Sequence, residues 1–88
     1  MNEQELEKIL KALANKRRLL ILKILKRKKK ISVGNMAKEI KLSFKSTSKH
    51  LAILYSAGIV EKEQVSLSMH YSIIKKLPRI ILELIHML

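Results

Sequence analysis

Residues 32–60 read SVGNMAKEIKLSFKSTSKHLAILYSAGIV. Ser32 stands where a helix N-cap would, and Val33, Met36, Ala37 and Ile40 follow at the spacing of one helical face. Leu42 falls in a break, and Ser43 caps a second helix predicted over 44–57. Gly58 has the position of a C′ glycine just past its end. In the second helix Thr47, Leu51 and Leu54 share one face, while Lys45, Ser48, Lys49 and Ala52 share another. Two short helices, a tight turn, and small polar and basic residues on the outer face of the second make a helix-turn-helix over about 32–57.

The charge of the chain converges on this region. The protein has 88 residues and a net charge of +12, and residues 16–49 hold 13 Lys/Arg against the single acid Glu39. The segments on either side are nearly neutral. A basic block confined to a helical module is the footprint of a phosphate-binding surface, whereas charge spread evenly would speak only of solubility.

Upstream, Asn2 and Glu5 have the spacing of a capping box, and Leu6, Ile9, Leu10 and Leu13 line one face of a first helix. Asn15 is a second cap. The helix predicted over 16–26 carries Leu19, Leu20, Ile21, Leu22, Ile24 and Leu25, too apolar for a surface position, and is expected at the centre of the core. Lys26 to Lys30 are five adjacent cations, expected in an exposed connection.

Downstream the period changes. Residues 59–64 and 69–74 alternate loosely around Val65–Ser68 and are rich in Val, Ile and Tyr, which predicts a β-hairpin over about 59–74. Pro78 suits the first position of a last helix, 78–88, in which Arg79, Glu83 and His86 form the polar stripe. The rest of its circumference is apolar. Together with the 48% hydrophobic content of so short a chain, that face implies a second copy to cover it. The expected architecture is mainly α with a small β-hairpin: a single domain over 1–88, about five helices plus the hairpin.

At this point the chain resembles a known family. LKALANKRRLLILKIL (10–25), ISVGNMAKEIKLSFKSTSKHLAILYSAGIVEKE (31–63) and MHYSI (69–73) are similar to winged-helix regulators of the ArsR family. The resemblance implies a homodimer through the first and last helices, here Leu6, Ile9, Leu10, Ile80, Ile81, Leu84, Ile85 and Leu88. It implies operator binding, usually as a repressor, with Phe44, Lys45, Ser46, Ser48 and Lys49 facing double-stranded DNA and the hairpin near the minor groove or flanking phosphates. An inducer such as a metal ion lowers affinity in the family.

Two departures qualify this. The family's cysteine metal positions correspond to Ser32 and Gly34, and the last helix offers only Glu83 and His86, so no metal and no cofactor are expected. The wing tip, Val65-Ser66-Leu67, is not basic, and its strand carries Glu61 and Glu63 beside Lys62. Lys28, Lys29 and Lys30 are then candidates for the phosphate contacts, with Lys62 beside them.

Bland readings stand next to these. Lys45 and Lys49 could be an ordinary solvated face, the basic run a solvated loop, and Phe44 either a thymine-methyl contact or a residue packed under the turn. His50 reads as a structural histidine, His70 and His86 as surface ones, Tyr71 as core, and Tyr55 as exposed. Three scattered histidines with no Cys and no Asp assemble no catalytic triad or carboxylate pair, and two glycines make no phosphate loop, so no enzyme is expected. The acidic N-terminus is unlike a signal peptide, and no apolar run is long enough to cross a membrane, which together predict a cytoplasmic protein. A Lys- and Ile-rich composition fits a thermophilic archaeal source or an AT-rich genome equally.

The reading is a sequence-specific DNA-binding regulator, a repressor acting as a homodimer on a pseudo-palindromic operator. A sequence-neutral chromatin-type protein and a winged-helix protein-interaction module are the alternatives.

Overall fold

A computed structural model describes residues Met1–Leu88. Five helices occur, α1 (Glu3–Leu13), α2 (Lys16–Lys28), α3 (Val33–Ile40), α4 (Phe44–Ser56) and α5 (Arg79–His86), with strands β1 (Ile31–Ser32), β2 (Val60–Val65) and β3 (Ser68–Ile73). Four of the five helices start on a side-chain cap visible in the sequence. Asn2 Oδ1 accepts from the Glu5 amide at 2.8 Å, and Asn15 Oδ1 from the amides of Arg17 and Arg18. Ser32 Oγ accepts from the Asn35 amide, and Ser43 Oγ from the Ser46 amide, each at 3.1 Å. These bonds satisfy amides that the helix itself leaves unpaired.

α2 lies in the middle, in contact with every other helix and with β3. Its Ile21, Leu22, Ile24 and Leu25 are buried, and α1 closes one side of the core with Ile9 and Ala12. α3 adds Met36, α4 adds Leu51 and Leu54, and α5 adds Ile81 and Ile85. Each of these large side chains contributes roughly 1.5–3 kcal/mol by leaving water. Leu20, expected in the core, is exposed, because a helix flanked on part of its surface still has one side open.

Three details differ from the expectation. The basic run is not all connection: α2 continues through Lys28, and only Lys29, at φ 71, and Lys30 lie outside it. Cations in a last turn sit favourably against the negative end of the helix dipole, which extends the helix. Pro78 stands one position earlier than expected, as the N-cap of α5, where its carbonyl accepts from Ile81 and Leu82. And Ile31-Ser32 forms a third strand that the alternation of the hairpin does not announce, pairing antiparallel with His70-Tyr71 to give the order β1-β3-β2.

The hairpin closes through Val65 opposite Ser68, with Ser66 and Leu67 as its two-residue loop. Ser66 takes the positive φ, 58°, at the position where a II′ turn normally has glycine. At the end of α4, Gly58 has φ 74, and a Cβ there would meet nothing within 4 Å, so the backbone angle alone calls for glycine. The amides of Gly58 and Ile59 return to the carbonyls of Tyr55 and Leu54, both at 3.0 Å, in a Schellman closure. That closure aims the chain directly from α4 into the wing.

Candidate nucleic-acid interface

The turn between α3 and α4 is Lys41-Leu42-Ser43. Lys41 adopts the left-handed conformation, φ 56, which lets the Leu42 amide reach the Ala37 carbonyl at 3.0 Å. Ser43 then caps the start of α4. Thr47 locks that start: it is fully buried, and its hydroxyl donates to the Ser43 carbonyl at 2.8 Å. With Thr47, Leu51 and Leu54 facing inward, the opposite side of α4 is set by the helical period alone. Lys45, Lys49, Ala52, Ile53 and Ser56 are exposed there, with Ser46 and Ser48 half-buried.

Lys45 and Lys49 are one turn apart on this face. The first turn of α4 contains no acid, so the positive end of the helix dipole adds to both lysines at the end a recognition helix presents to DNA. Phe44 does not pack under the turn. It is 63% exposed and stands beside Lys45 at the helix start.

The candidate phosphate contacts of the basic run are placed elsewhere and are mostly engaged. Lys26 donates to the carbonyls of His86 and Leu88 in and just after α5. Arg27 and Lys28 flank Glu39, at 3.4 and 3.8 Å. Lys30 pairs with Glu63 across the base of the wing, and that hydrogen bond, with the charge behind it, holds the Glu63 carboxyl below the usual carboxylate range. Lys28 and Lys30 line one recess with Ser32, the cap of α3, and with Asn35 and Lys38 along that helix, not with α4. Surface pairs of this kind exchange readily with water and phosphate, so the charge stays near the surface without lying on the recognition helix.

Lys62 is held differently. Its ammonium sits 4.3 Å from the centroid of the Tyr55 ring, joining the wing to the exposed side of α4. Arg18 is not singled out for any contact by periodicity, yet it connects three elements. Its Nε donates to the Ala12 carbonyl at 2.6 Å and a terminal nitrogen to the Lys11 carbonyl at 3.2 Å, closing the end of α1. The other terminal nitrogen lies 3.3 Å from His50 Nδ1 in α4. Burial, then the charges of Arg18 and Arg17, hold the His50 imidazole below its ordinary 6.5. A neutral His50 with Nδ1 as acceptor follows from that geometry, and the histidine is structural. Only the place of Arg18 in the 10–25 segment hinted at this role, since its partners lie in other elements.

Of the residues expected at a dimer face, Ile9, Ile81 and Ile85 are buried in the protomer's own core and offer no surface. Leu6 and Leu10 on α1, and Ile80 and Leu84 on α5, are exposed, Ile80 at 60%, and Leu88 is half-buried. Met87, 80% exposed, joins the α5 set. No helix is long and apolar enough to cross a membrane.

A buried-backed helix with two cations and small polar residues on its outer face, followed at once by a hairpin, is the geometry of a winged helix-turn-helix. The sequence profile described as "Bacterial regulatory protein, arsR family" matches residues 15–62, which span α2, α3, α4 and the first residues of β2. The chain belongs to the arsR family of bacterial regulatory proteins. The transcriptional activator HlyU of Vibrio cholerae serotype O1 is 36% identical over 95 aligned positions, covering the whole chain and 87% of HlyU. A solved structure of HlyU from V. cholerae N16961 superposes with a TM-score of 0.82 at 31% identity, over 99% of this chain and 96% of that one. The solution structure of Mb0332 from Mycobacterium bovis, described as a homodimeric winged helix-turn-helix DNA-binding domain and a possible ArsR-family regulator, gives 0.82 at 27% identity over 96% and 74%. This ArsR-family chain is thus a DNA-binding transcriptional regulator, and such regulators are not enzymes.

Proposed function

We propose that this ArsR-family protein is a homodimeric, sequence-specific repressor that binds a pseudo-palindromic operator. The observation that carries the reading is α4: Thr47, Leu51 and Leu54 anchor it from behind, and Phe44, Lys45, Ser46, Ser48 and Lys49 crowd its N-terminal half on the solvent side. Lys45 and Lys49 neutralise phosphates and fix the register of the helix. The serines and Phe44 meet base edges and thymine methyls in the major groove.

The dimer is built from the exposed apolar residues of α1 and α5, namely Leu6, Leu10, Ile80 and Leu84. Mb0332, of the same fold, is described as homodimeric, which supports this assembly. A two-fold axis would set the two α4 helices about 34 Å apart, one turn of the duplex. Repression requires only that the dimer occupy a promoter; the relative HlyU is named a transcriptional activator.

Selection from a random duplex library at about 0.15 M salt tests this reading. A recovered motif with two-fold symmetry is the expected result. Retained but unenriched DNA would replace it with the sequence-neutral chromatin-type reading. Complete failure to retain DNA would point to a protein-interaction module. Transcription in vitro from a promoter carrying the selected site then separates repression from activation.

A further inference from the structure

The wing of this protein ends in a leucine in open water. Leu67 is 98% exposed at the turn of the hairpin, the largest exposure among the big apolar side chains. It contributes nothing to the core, and serine, asparagine or glycine would serve the turn better. Its neighbours are small or uncharged: from Gln64 to Met69 there is no acidic or basic residue, in a chain of net charge +12. The acids of the wing lie back from the tip. Glu63 is bound by Lys30, and Glu61 is about 13 Å from Val65 along the strand.

The base of the hairpin is fixed beside the recognition helix, and the paired strands carry the tip out from there. Ile59 and Val60 are buried, the Ile59 amide donates to Leu54 in α4, and Lys62 covers Tyr55. A hairpin fixed next to a helix seated in the major groove faces the adjoining backbone and minor groove. A basic tip would grip there by charge. This tip has no charge to grip with, but it has the kind of side chain that proteins push between base pairs.

We propose that Leu67 is a specificity-determining residue of this regulator: it enters the minor groove beside the half-site and wedges against a flexible pyrimidine–purine step. The inference rests on the DNA-binding reading above. Such steps unstack at low cost, so sequence is read there through deformability rather than through hydrogen bonds. Ser66 and Ser68, on either side, are small enough to let the backbone approach. The expected operator therefore carries TA or CA/TG at the position under each wing and is bent when bound.

The test uses the full chain, the duplex recovered by selection, and the variants L67S and L67M. Affinity and its salt dependence are measured by fluorescence anisotropy, bending by energy transfer between end labels, and unstacking by 2-aminopurine placed at the step. The parent protein and L67M should bend the duplex and raise the 2-aminopurine signal. L67S should lose both, with about a tenfold loss of affinity and an unchanged salt slope, because no phosphate contact is removed. If L67S binds, bends and unstacks like the parent, the wedge is wrong while DNA binding stands. A change of about one phosphate in the slope also overturns it, since the tip would then act by placing a cation. A parent protein that retains no duplex overturns the DNA-binding reading, and the wedge with it.

Discussion

Arg18 of α2 and His50 of α4 meet at 3.3 Å, between a terminal guanidinium nitrogen and Nδ1. The same guanidinium donates to the carbonyls of Lys11 and Ala12. One side chain therefore ties the end of α1 and the back of the recognition helix to the central helix. Replacing Arg18 by Lys should cost about 1–3 kcal/mol, because a single ammonium cannot reproduce the planar fork that reaches three acceptors. The denaturant midpoint reads this loss, and an unchanged midpoint would mean the contacts are incidental.

His50 makes stability depend on pH in a definite direction. Its folded pKa lies below 6.5 because burial, and then Arg18 and Arg17, disfavour the imidazolium. Below pH 6.5 the unfolded chain binds more protons than the folded one, so stability falls with acidification. The contribution is complete above about 6.5 and is lost as pH drops from there through the folded value. His50→Asn keeps an acceptor for Arg18 without the titration. Urea unfolding of that variant between pH 7.5 and 5 should show a flatter profile than the parent, and parallel profiles would refute the assignment.

Ser43 caps α4, its hydroxyl accepting from the Ser46 amide at 3.1 Å. Ser43→Ala should cost about 1 kcal/mol, or roughly 4–8 °C in Tm for a domain of this size. The amides of Ser46 and Thr47 should exchange hydrogen faster in the variant. Exchange confined to the other end of α4 would contradict the capping role.

Charge reversal at Lys45 and Lys49 together should abolish operator binding and leave the circular dichroism spectrum unchanged, because both side chains are exposed. Each single change to Ala should lower the salt slope of log K by about 0.9. The same change at Lys28 or Lys30, which pair with Glu39 and Glu63, should alter the slope less. Equal slopes for all four would remove the distinction drawn between the recognition helix and the basic run.

Neighbouring residues in α5 should behave oppositely. Ile80→Glu with Leu84→Glu alters exposed positions and should give folded monomers by sedimentation, with weakened operator binding. Ile81 is only 1% exposed. Ile81→Ala should instead destabilise the protomer itself by about 2–5 kcal/mol, whatever its assembly. An Ile80/Leu84 variant that still sediments as a dimer would move the interface away from α5.

Much of the fold is legible because it is local. A cap joins a side chain to an amide two or three residues away, so Asn2, Asn15, Ser32 and Ser43 announce the starts of α1 to α4 in the sequence, as Gly58 announces the end of α4. The inner and outer faces of α4 follow from the helical period, which is why the sequence alone sets Thr47, Leu51 and Leu54 against Lys45 and Lys49. The hairpin is readable from its residue types even though its turn places the positive φ on a serine.

What could not be read depends on residues distant in sequence. Periodicity marks Ile9, Leu10, Ile80 and Ile81 alike as apolar, and only the packing of α1 and α5 against α2 and α4 decides that Ile9 and Ile81 turn inward while Leu10 and Ile80 face water. β1 exists because β3 lies beside Ile31-Ser32 and offers it hydrogen-bonding groups. The partners of the basic run, Glu39, Glu63 and the last carbonyls of the chain, come from elements brought together by folding, and so does the meeting of Arg18 with His50. The sequence by itself determined the helices, their caps and the chemistry of the recognition face, since those rest on contacts within one or two turns. The tertiary structure alone decided which apolar side chains stayed exposed and which cations stayed unpaired, since burial and ion pairing are properties of neighbours in space.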